Sequence, residues 1–477
     1  MRSHEAGALH AEGGRGAHSG PAWLSPPKDV NALVRPLWAG SVQRLPEGAL
    51  SVGGLDVRDL ATEFGTPAYI VDEEDFRSRA REFKQAFDEV FQSLCGGADV
   101  FYAGKAFLCT AVARWIHDEG LGLDVCSGGE LAVAVRAGVP GARIGLHGNN
   151  KSVAEIEAAL SHGVGRIVVD SFEEIERVAA AANLLGVMAP VMVRVTVGVE
   201  AHTHEYIATA HEDQKFGFSL AGGQAAEAVR RILDHPTSLS LLGLHSHIGS
   251  QIFDTSGFEV AARRVLGLHA AVAREHKIRL PELDLGGGFG IAYTTQHDPM
   301  SPRELATGMA KIIERECLAE GVPVPRISVE PGRAIAGPST FTLYEVGTVK
   351  TVLLDGDVSR TYVAVDGGMS DNIRPALYDA DYSCTIASRV SEAPAALARV
   401  VGKHCESGDI LVKDEFLPSD VKAGDLLAVP VTGAYCRSLS SQYNHVPRPP
   451  VVAVVGGAAR QIVRRETIED LLALDVD

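Results

Sequence analysis

Nowhere in its 477 residues does the chain hold an apolar run near the roughly 20 residues that span a bilayer. The apolar core of a signal peptide is missing from the N-terminus as well, so a cytoplasmic location is expected. Cysteine pairing is equally scarce. The seven cysteines, at 95, 109, 126, 317, 384, 405 and 436, are odd in number and include no C-x-x-C spacing. That argues against a disulfide framework and a structural zinc site, and no metal is expected. Positive charge is in short supply: 44 basic residues face 61 acidic ones, a net charge of −17. An acidic surface of this kind argues against nucleic acid or anionic membrane as the main partner.

What is present is length and rhythm. A chain of 477 residues suits one very large domain or two ordinary ones. Residues 1–34 are rich in Gly, Ala, Ser and Pro without periodicity, which predicts a disordered tail. From residue 67, short β-rich runs alternate with amphipathic stretches: "VFYA" (100–103), "LDVC" (123–126), "IGLH" (144–147), "IVVD" (167–170), "VMVRV" (191–195), "LLGLHSH" (241–247), "LDLGG" (283–287) and "ISVE" (327–330). Glycine closes several of the intervening helical patterns, as a helix C-cap should. Eight such alternations predict an α/β fold, a (β/α)8 TIM barrel over residues 67–338, with a doubly wound open sheet as the competitor. Residues 339–477 change texture to strands without helices between them, predicting a mainly β C-terminal domain with a short terminal helix. Residues 35–66 are expected to join that β domain.

In a barrel, functional groups stand at the C-terminal ends of the strands. Those ends here carry Lys105, Asp124, His147, Asp170, Arg194, His247, Gly286, Gly287, Gly288 and Glu330. The stretch "DVFYAGKAF" is unusual, because a chain with 11 lysines places one directly after an apolar strand. Such a lysine must be solvated, paired or covalently occupied. The "GGGFG" run (286–290) after strand seven and "EPGR" (330–333) after strand eight fall where barrels bind phosphate. Neither a P-loop, which needs G-K-[ST], nor a dinucleotide fingerprint matches this context. A phosphate site facing a strand-end lysine points to pyridoxal phosphate, with Lys105 as the covalent anchor. In "HSHIGS" (245–250) one histidine suits stacking on a pyridine ring, and Ser250 suits a phosphate oxygen. Glu330 suits the pyridine nitrogen, and a carboxylate there makes the ring a strong electron sink.

These residues, with "DVCSGGE", "HEYIATAHEDQKFGF", "LDLGGGFG", "VDGGMSDNIRPALY", "HCESGD" and "TGAY", resemble the alanine-racemase-like (fold type III) pyridoxal phosphate enzymes, and among them the diaminopimelate decarboxylase family. The likeness runs from residue 35 to about 465. It implies a pyridoxal 5'-phosphate enzyme that converts meso-diaminopimelate to L-lysine and carbon dioxide as a homodimer. By motif it implies Lys105 as Schiff-base lysine and His247 as stacking histidine. Asp124, Ser250, Gly286 to Gly288, Gly332, Arg333 and Tyr435 become cofactor contacts, and Glu330 the pyridine partner. Arg333, Arg374, Tyr378, Glu406 and Tyr435 become substrate contacts, and Cys405 the general acid, with Cys405 and Glu406 supplied across the dimer interface. Ala210 departs from the glycine common in the family at "ATAHED", which bears on a loop contact. A structural ion pair is the alternative for Arg374. A racemase of the same fold would place arginine rather than Glu330 at the pyridine nitrogen. A decarboxylase for ornithine, arginine or carboxynorspermidine would not need Arg333 and Arg374 together. His202 and His204 are expected in a loop or substrate lid.

Overall fold

The computed structural model describes residues 21, 23–198, 215–247, 249–354 and 358–476. Eight parallel strands form β1 (Ala98–Ala103), β2 (Gly122–Val125), β3 (Ile144–Leu146), β4 (Arg166–Val169), β5 (Ala189–Thr196), β6 (Leu239–His245), β7 (Glu282–Asp284) and β8 (Arg326–Val329). Each pairs with the next, and β8 returns to β1. The sheet is therefore a closed barrel, not the open doubly wound alternative. Most of its strands are largely apolar because both of their faces are buried, with Glu-Leu-Asp of β7 the exception.

The helices start where short polar signals tell them to. Ser127, Ser152, Ser171 and Ser301 each stand three residues before a glutamate, and each hydroxyl accepts that glutamate's backbone N–H. Such a cap is worth about 1 kcal/mol. At Ser152 and Ser301 the glutamate side chain reaches back to close a capping box. Helix α1 (Glu73–Cys95) precedes β1 and repeats phenylalanine every four residues. Phe83, Phe87 and Phe91 therefore line one face, with neighbouring ring centroids 6.3 and 6.2 Å apart, and Phe289 packs 5.6 Å from Phe83. Each ring so buried contributes about 1.5–3 kcal/mol.

A buried ion pair ties the loop after β3 to the end of β4. Lys151 donates to Gly148 O at 2.7 Å, Val168 O at 2.6 Å and Glu174 Oε1 at 2.7 Å, so all three of its protons are used. Burial drives the Lys151 pKa down and the Glu174 pKa up, each toward its neutral form, and the contact opposes both shifts. Replacing Lys151 with methionine strands a buried carboxylate and two carbonyls. The expected loss is about 3–5 kcal/mol of unfolding free energy. Denaturant titration checks it, and a loss below about 1 kcal/mol contradicts this account.

The chain divides into two compact units. The barrel unit comprises residues 77–291 and 299–335, and the other comprises residues 1–76, 292–298 and 336–477. The second unit is built on the long strand β9 (Thr340–Leu354), with β10 (Val358–Val365), β11 (Ala395–Val401), β12 (Ile410–Pro418), β13 (Leu426–Pro430), β14 (Val451–Val455) and β15 (Ala458–Val463). The sheet is mixed: β9 runs antiparallel to β10 and β13, whereas β10 runs parallel to β11. The domain bounds differ from the sequence expectation: residues 67–76 and 292–298, expected within the barrel domain, belong to the mainly β unit. There the strand Ala68–Asp72, which lies outside the eight expected barrel runs, pairs with β9 and β14. Strands β11 and β15 lie outside the sequence expectation, because "AALARVV" and "AARQIV" have no strict alternation. Among the described residues, no helix is long and apolar enough to cross a membrane.

Candidate active site

The C-terminal ends of the barrel strands surround a cavity of about 300 Å³, lined among others by Lys105, Asp124, His147, Arg194, His247 and Glu330. Lys105 sits on the single turn Gly104–Ala106 that follows β1. The strand is buried but the lysine is exposed, and it forms no hydrogen bond or ion pair with any described residue. Among the described residues no carboxylate pairs with it, so the paired state is the one of the three that they do not supply. Asp170 lies beside the cavity wall, 3.8 Å from Arg194.

Glu330 follows β8 and is buried between two imidazoles. Its Oε1 lies 2.9 Å from His245 Nε2 and 3.6 Å from His147 Nε2. The two rings meet edge to face at 5.2 Å. His147 Nε2 also approaches Asp124 Oδ1 at 3.2 Å, without hydrogen-bond alignment. Burial raises the pKa of Glu330 and, more strongly, of Asp124, and lowers those of His147 and His245. The cluster is thus driven toward low net charge, as expected for ionisable groups removed from water. The donor atoms of His147, His245 and Glu330 lie within 4.8 Å of one another, a set that a divalent metal would accept. That grouping was not foreseen from sequence.

His247 has a defined state. The Gly287 N–H donates to its Nδ1 at 3.1 Å, so that nitrogen carries no proton and the ring proton sits on Nε2. Burial, reinforced by the charge of Lys105, holds the imidazole well below its ordinary pKa. The glycine run is a cradle in which side chains have no room. A Cβ on Gly287 would fall 2.2 Å from Glu330 O, and one on Gly288 would fall 2.3 Å from Gly249 O. Gly286 and Gly287 have spent their N–H groups on Asp284 Oδ1 (2.8 Å) and His247. Of the three, only the Gly288 N–H has no partner among the described residues. Arg333 donates to Ser250 Oγ at 2.8 Å, placing a buried cation beside that hydroxyl.

The mainly β unit holds the remaining sequence candidates. Arg374 opens the helix Arg374–Tyr378 and is buried. Its Nη1 donates to Tyr382 Oη at 2.6 Å, and its guanidinium lies 4.6 Å from the Tyr293 ring centroid. Its Nε has no partner, and among the described residues no carboxylate pairs with it. The structural ion pair offered as the alternative for Arg374 is absent among those residues. Tyr378 is half-buried at the end of the same helix. Cys405 and Glu406 are exposed on the loop 402–409 between β11 and β12. Tyr435 is half-buried and adopts φ 64°, a left-handed conformation that costs a non-glycine residue about 1–3 kcal/mol. His202, His204 and residues 208–213 lie outside the described residues. Tyr293 and Tyr382 flank Arg374 with no local signal to announce them. His245 was visible in "HSHIGS", but its bond to Glu330 spans 85 residues of chain.

An unpaired amine, a buried carboxylate, a neutral imidazole and a backbone cradle with a nearby cation match the polar groups of pyridoxal phosphate. Comparison with known proteins agrees. The family model described as "Pyridoxal-dependent decarboxylase, pyridoxal binding domain" matches residues 73–337. The diaminopimelate decarboxylase of Mycobacterium leprae is 55% identical over 480 residues, covering 100% of both chains. That of Bacillus subtilis is 46% identical over 437 residues, covering 92% of this chain and 97% of its own. A crystal structure of the M. jannaschii diaminopimelate decarboxylase superposes with a TM-score of 0.85 at 30% identity, covering 92% of this chain and 98% of that one. With a matching barrel, a fitting site and relatives aligned along its whole length, the chain belongs to the pyridoxal-dependent decarboxylases, in the diaminopimelate decarboxylase family.

Proposed function

We propose that the protein decarboxylates meso-2,6-diaminopimelate, releasing carbon dioxide and L-lysine, with pyridoxal 5'-phosphate as cofactor. The observation that carries the substrate is Arg374, a buried guanidinium without a carboxylate partner among the described residues. Burying a cation unpaired is costly, and a planar, bidentate donor is the natural receptor for a carboxylate. Diaminopimelate keeps such a carboxylate at the end that does not react. The M. jannaschii relative was also solved in complex with L-lysine.

Covalently held by a lysine, pyridoxal phosphate supplies an electron sink for the bond to the departing carboxylate. The roles of this chain's residues are assigned by motif, on the family resemblance. Lys105 would hold the cofactor through its amine. His247, neutral, would support the ring. Ser250, Arg333 and the Gly288 N–H would bind the phosphate, with Gly286, Gly287 and Gly332 shaping the backbone around it. Glu330, held by His245, would bind the pyridine nitrogen, and Asp124 lines the same pocket. Arg333, Tyr378 and Tyr435 complete the substrate contacts with Arg374, and Glu406 receives the distal ammonium. Cys405 delivers the proton that replaces carbon dioxide at Cα. We assign the working unit as a homodimer in the cytoplasm, with Cys405 and Glu406 reaching the partner's site, in keeping with their exposure in the single chain.

Carbon dioxide release from the cofactor-loaded protein, offered diaminopimelate, ornithine and arginine in parallel, tests the substrate. Release from diaminopimelate alone, with L-lysine formed, is expected; release from ornithine or arginine instead overturns the role of Arg374. Cys405→Ala should lower kcat by about 10²–10⁴-fold, the usual contribution of a positioned general acid. Cofactor absorbance should stay unchanged. An unchanged kcat assigns the proton to another group.

A further inference from the structure

Two loops of the mainly β unit carry the residues assigned to substrate, and side chains without any role so far bind them together. The loop 366–373 runs from β10 to Arg374, and the loop 402–409 carries Cys405 and Glu406. Asp409 serves both. Its Oδ1 accepts the Met369 N–H at 2.6 Å, and its Oδ2 accepts the His404 N–H at 2.8 Å. His404 reaches the Ser370 hydroxyl through Nε2 at 2.7 Å and Asn444 Oδ1 through Nδ1 at 3.2 Å. Asn444 Oδ1 also accepts the Cys405 N–H at 3.2 Å. An acceptor at Nδ1 places the proton of a neutral ring there, so Nε2 accepts from Ser370. The backbones touch too. Lys403 N–H donates to Gly367 O at 3.0 Å, and a Cβ on Gly402 would fall 2.4 Å from Gly368 Cα. His404 and Asp409 are buried, whereas Cys405, Glu406 and Ser407 between them are exposed. The second loop is anchored at both feet and projects at its tip.

We infer that His404 and Asp409 are positioning residues that make the Arg374 loop and the Cys405–Glu406 loop one rigid piece. Capture of the distal carboxylate by Arg374 then sets the placement of the proton donor and of the ammonium acceptor. The inference rests on the function proposed above. In a homodimer in which the loop tip serves the partner, the same lock links the substrate loop of one site to the donor loop of the other.

The test reads Cys405 from a mutation on the opposite loop. Ser370→Ala removes the hydroxyl that His404 accepts, and Asp409→Asn replaces an accepting oxygen with a donor. In the holoenzyme, iodoacetamide labelling of Cys405, followed by peptide mass spectrometry, should accelerate about fivefold in each variant, the effect of losing one hydrogen bond. KM for diaminopimelate should rise and kcat fall together, with cofactor absorbance unchanged. Lys403→Ala, on the exposed part of the donor loop, should change neither. Unaltered labelling in Ser370→Ala and Asp409→Asn overturns the lock; if Asp409→Asn does not fold, Ser370→Ala alone decides. Absence of carbon dioxide release from the unaltered protein overturns the proposed function instead, and the labelling then decides the lock by itself.

Discussion

Replacing Lys105 with alanine abolishes turnover and the visible absorbance of the bound cofactor in one step. The expectation follows from position. Lys105 is the strand-end amine that faces the cavity and spends no proton on any described residue. Burial holds the nearby His247 well below its ordinary pKa, so it stays neutral and offers no competing cation. Without the amine, the chain would retain the groups proposed to bind the cofactor through ionic and hydrogen-bonded contacts but would lack the covalent tether. We expect at least about a 10³-fold fall in kcat/KM, or about 4 kcal/mol of barrier at 1.36 kcal/mol per tenfold. In the cofactor-free protein stability should move by no more than about 0.5 kcal/mol, because Lys105 is exposed and forms no hydrogen bond or ion pair with any described residue. Absorbance and single-turnover kinetics on the loaded protein and thermal melting of the cofactor-free protein separate these effects. Retained turnover with retained absorbance removes Lys105 from the chemistry.

Arg374→Ala produces the second large effect, and it is selective. The guanidinium is buried against Tyr293 and Tyr382 and lacks a carboxylate among the described residues. If the distal carboxylate completes it, alanine costs the charged contact and leaves the carboxylate desolvated. A truncated buried charge pair costs about 3–4 kcal/mol, so kcat/KM for diaminopimelate should fall about 10²–10³-fold. Most of the loss should appear in KM, as expected for a group that holds the substrate before and during reaction. Ornithine has no distal carboxylate, so its small rate should not fall, and discrimination between the two substrates should collapse. Lysine in place of Arg374 should rescue only partly, since a point charge does not reproduce the bidentate fork. A uniform fall for both substrates would make Arg374 a structural residue.

Much of the barrel was legible along the chain because its signals are local. The eight strand runs and the glycines that close helices all act within a few residues. Lys105, His247 and Glu330 could be named for the same reason: each stands one or two residues past the end of a strand. Local pattern did not fix where the barrel domain begins: the expected bound at residue 67 lies before Ala68–Asp72, and only the pairing of that strand with β9 and β14 assigns it to the mainly β unit.

By itself, the sequence determined the alternation that builds the barrel, the strand ends at which reactive groups stand and the motif set that names a family. Only the tertiary structure decided how those groups are held. It joined His245 to Glu330, turned the N–H of Gly287 toward His247, buried Arg374 between two tyrosines, and bound the Arg374 loop to the Cys405 loop through His404 and Asp409. The physical reason is range. Periodicity, caps and turns are settled by neighbours along the chain, whereas hydrogen-bond partners and protonation states are settled by whichever groups burial brings together from distant parts of it.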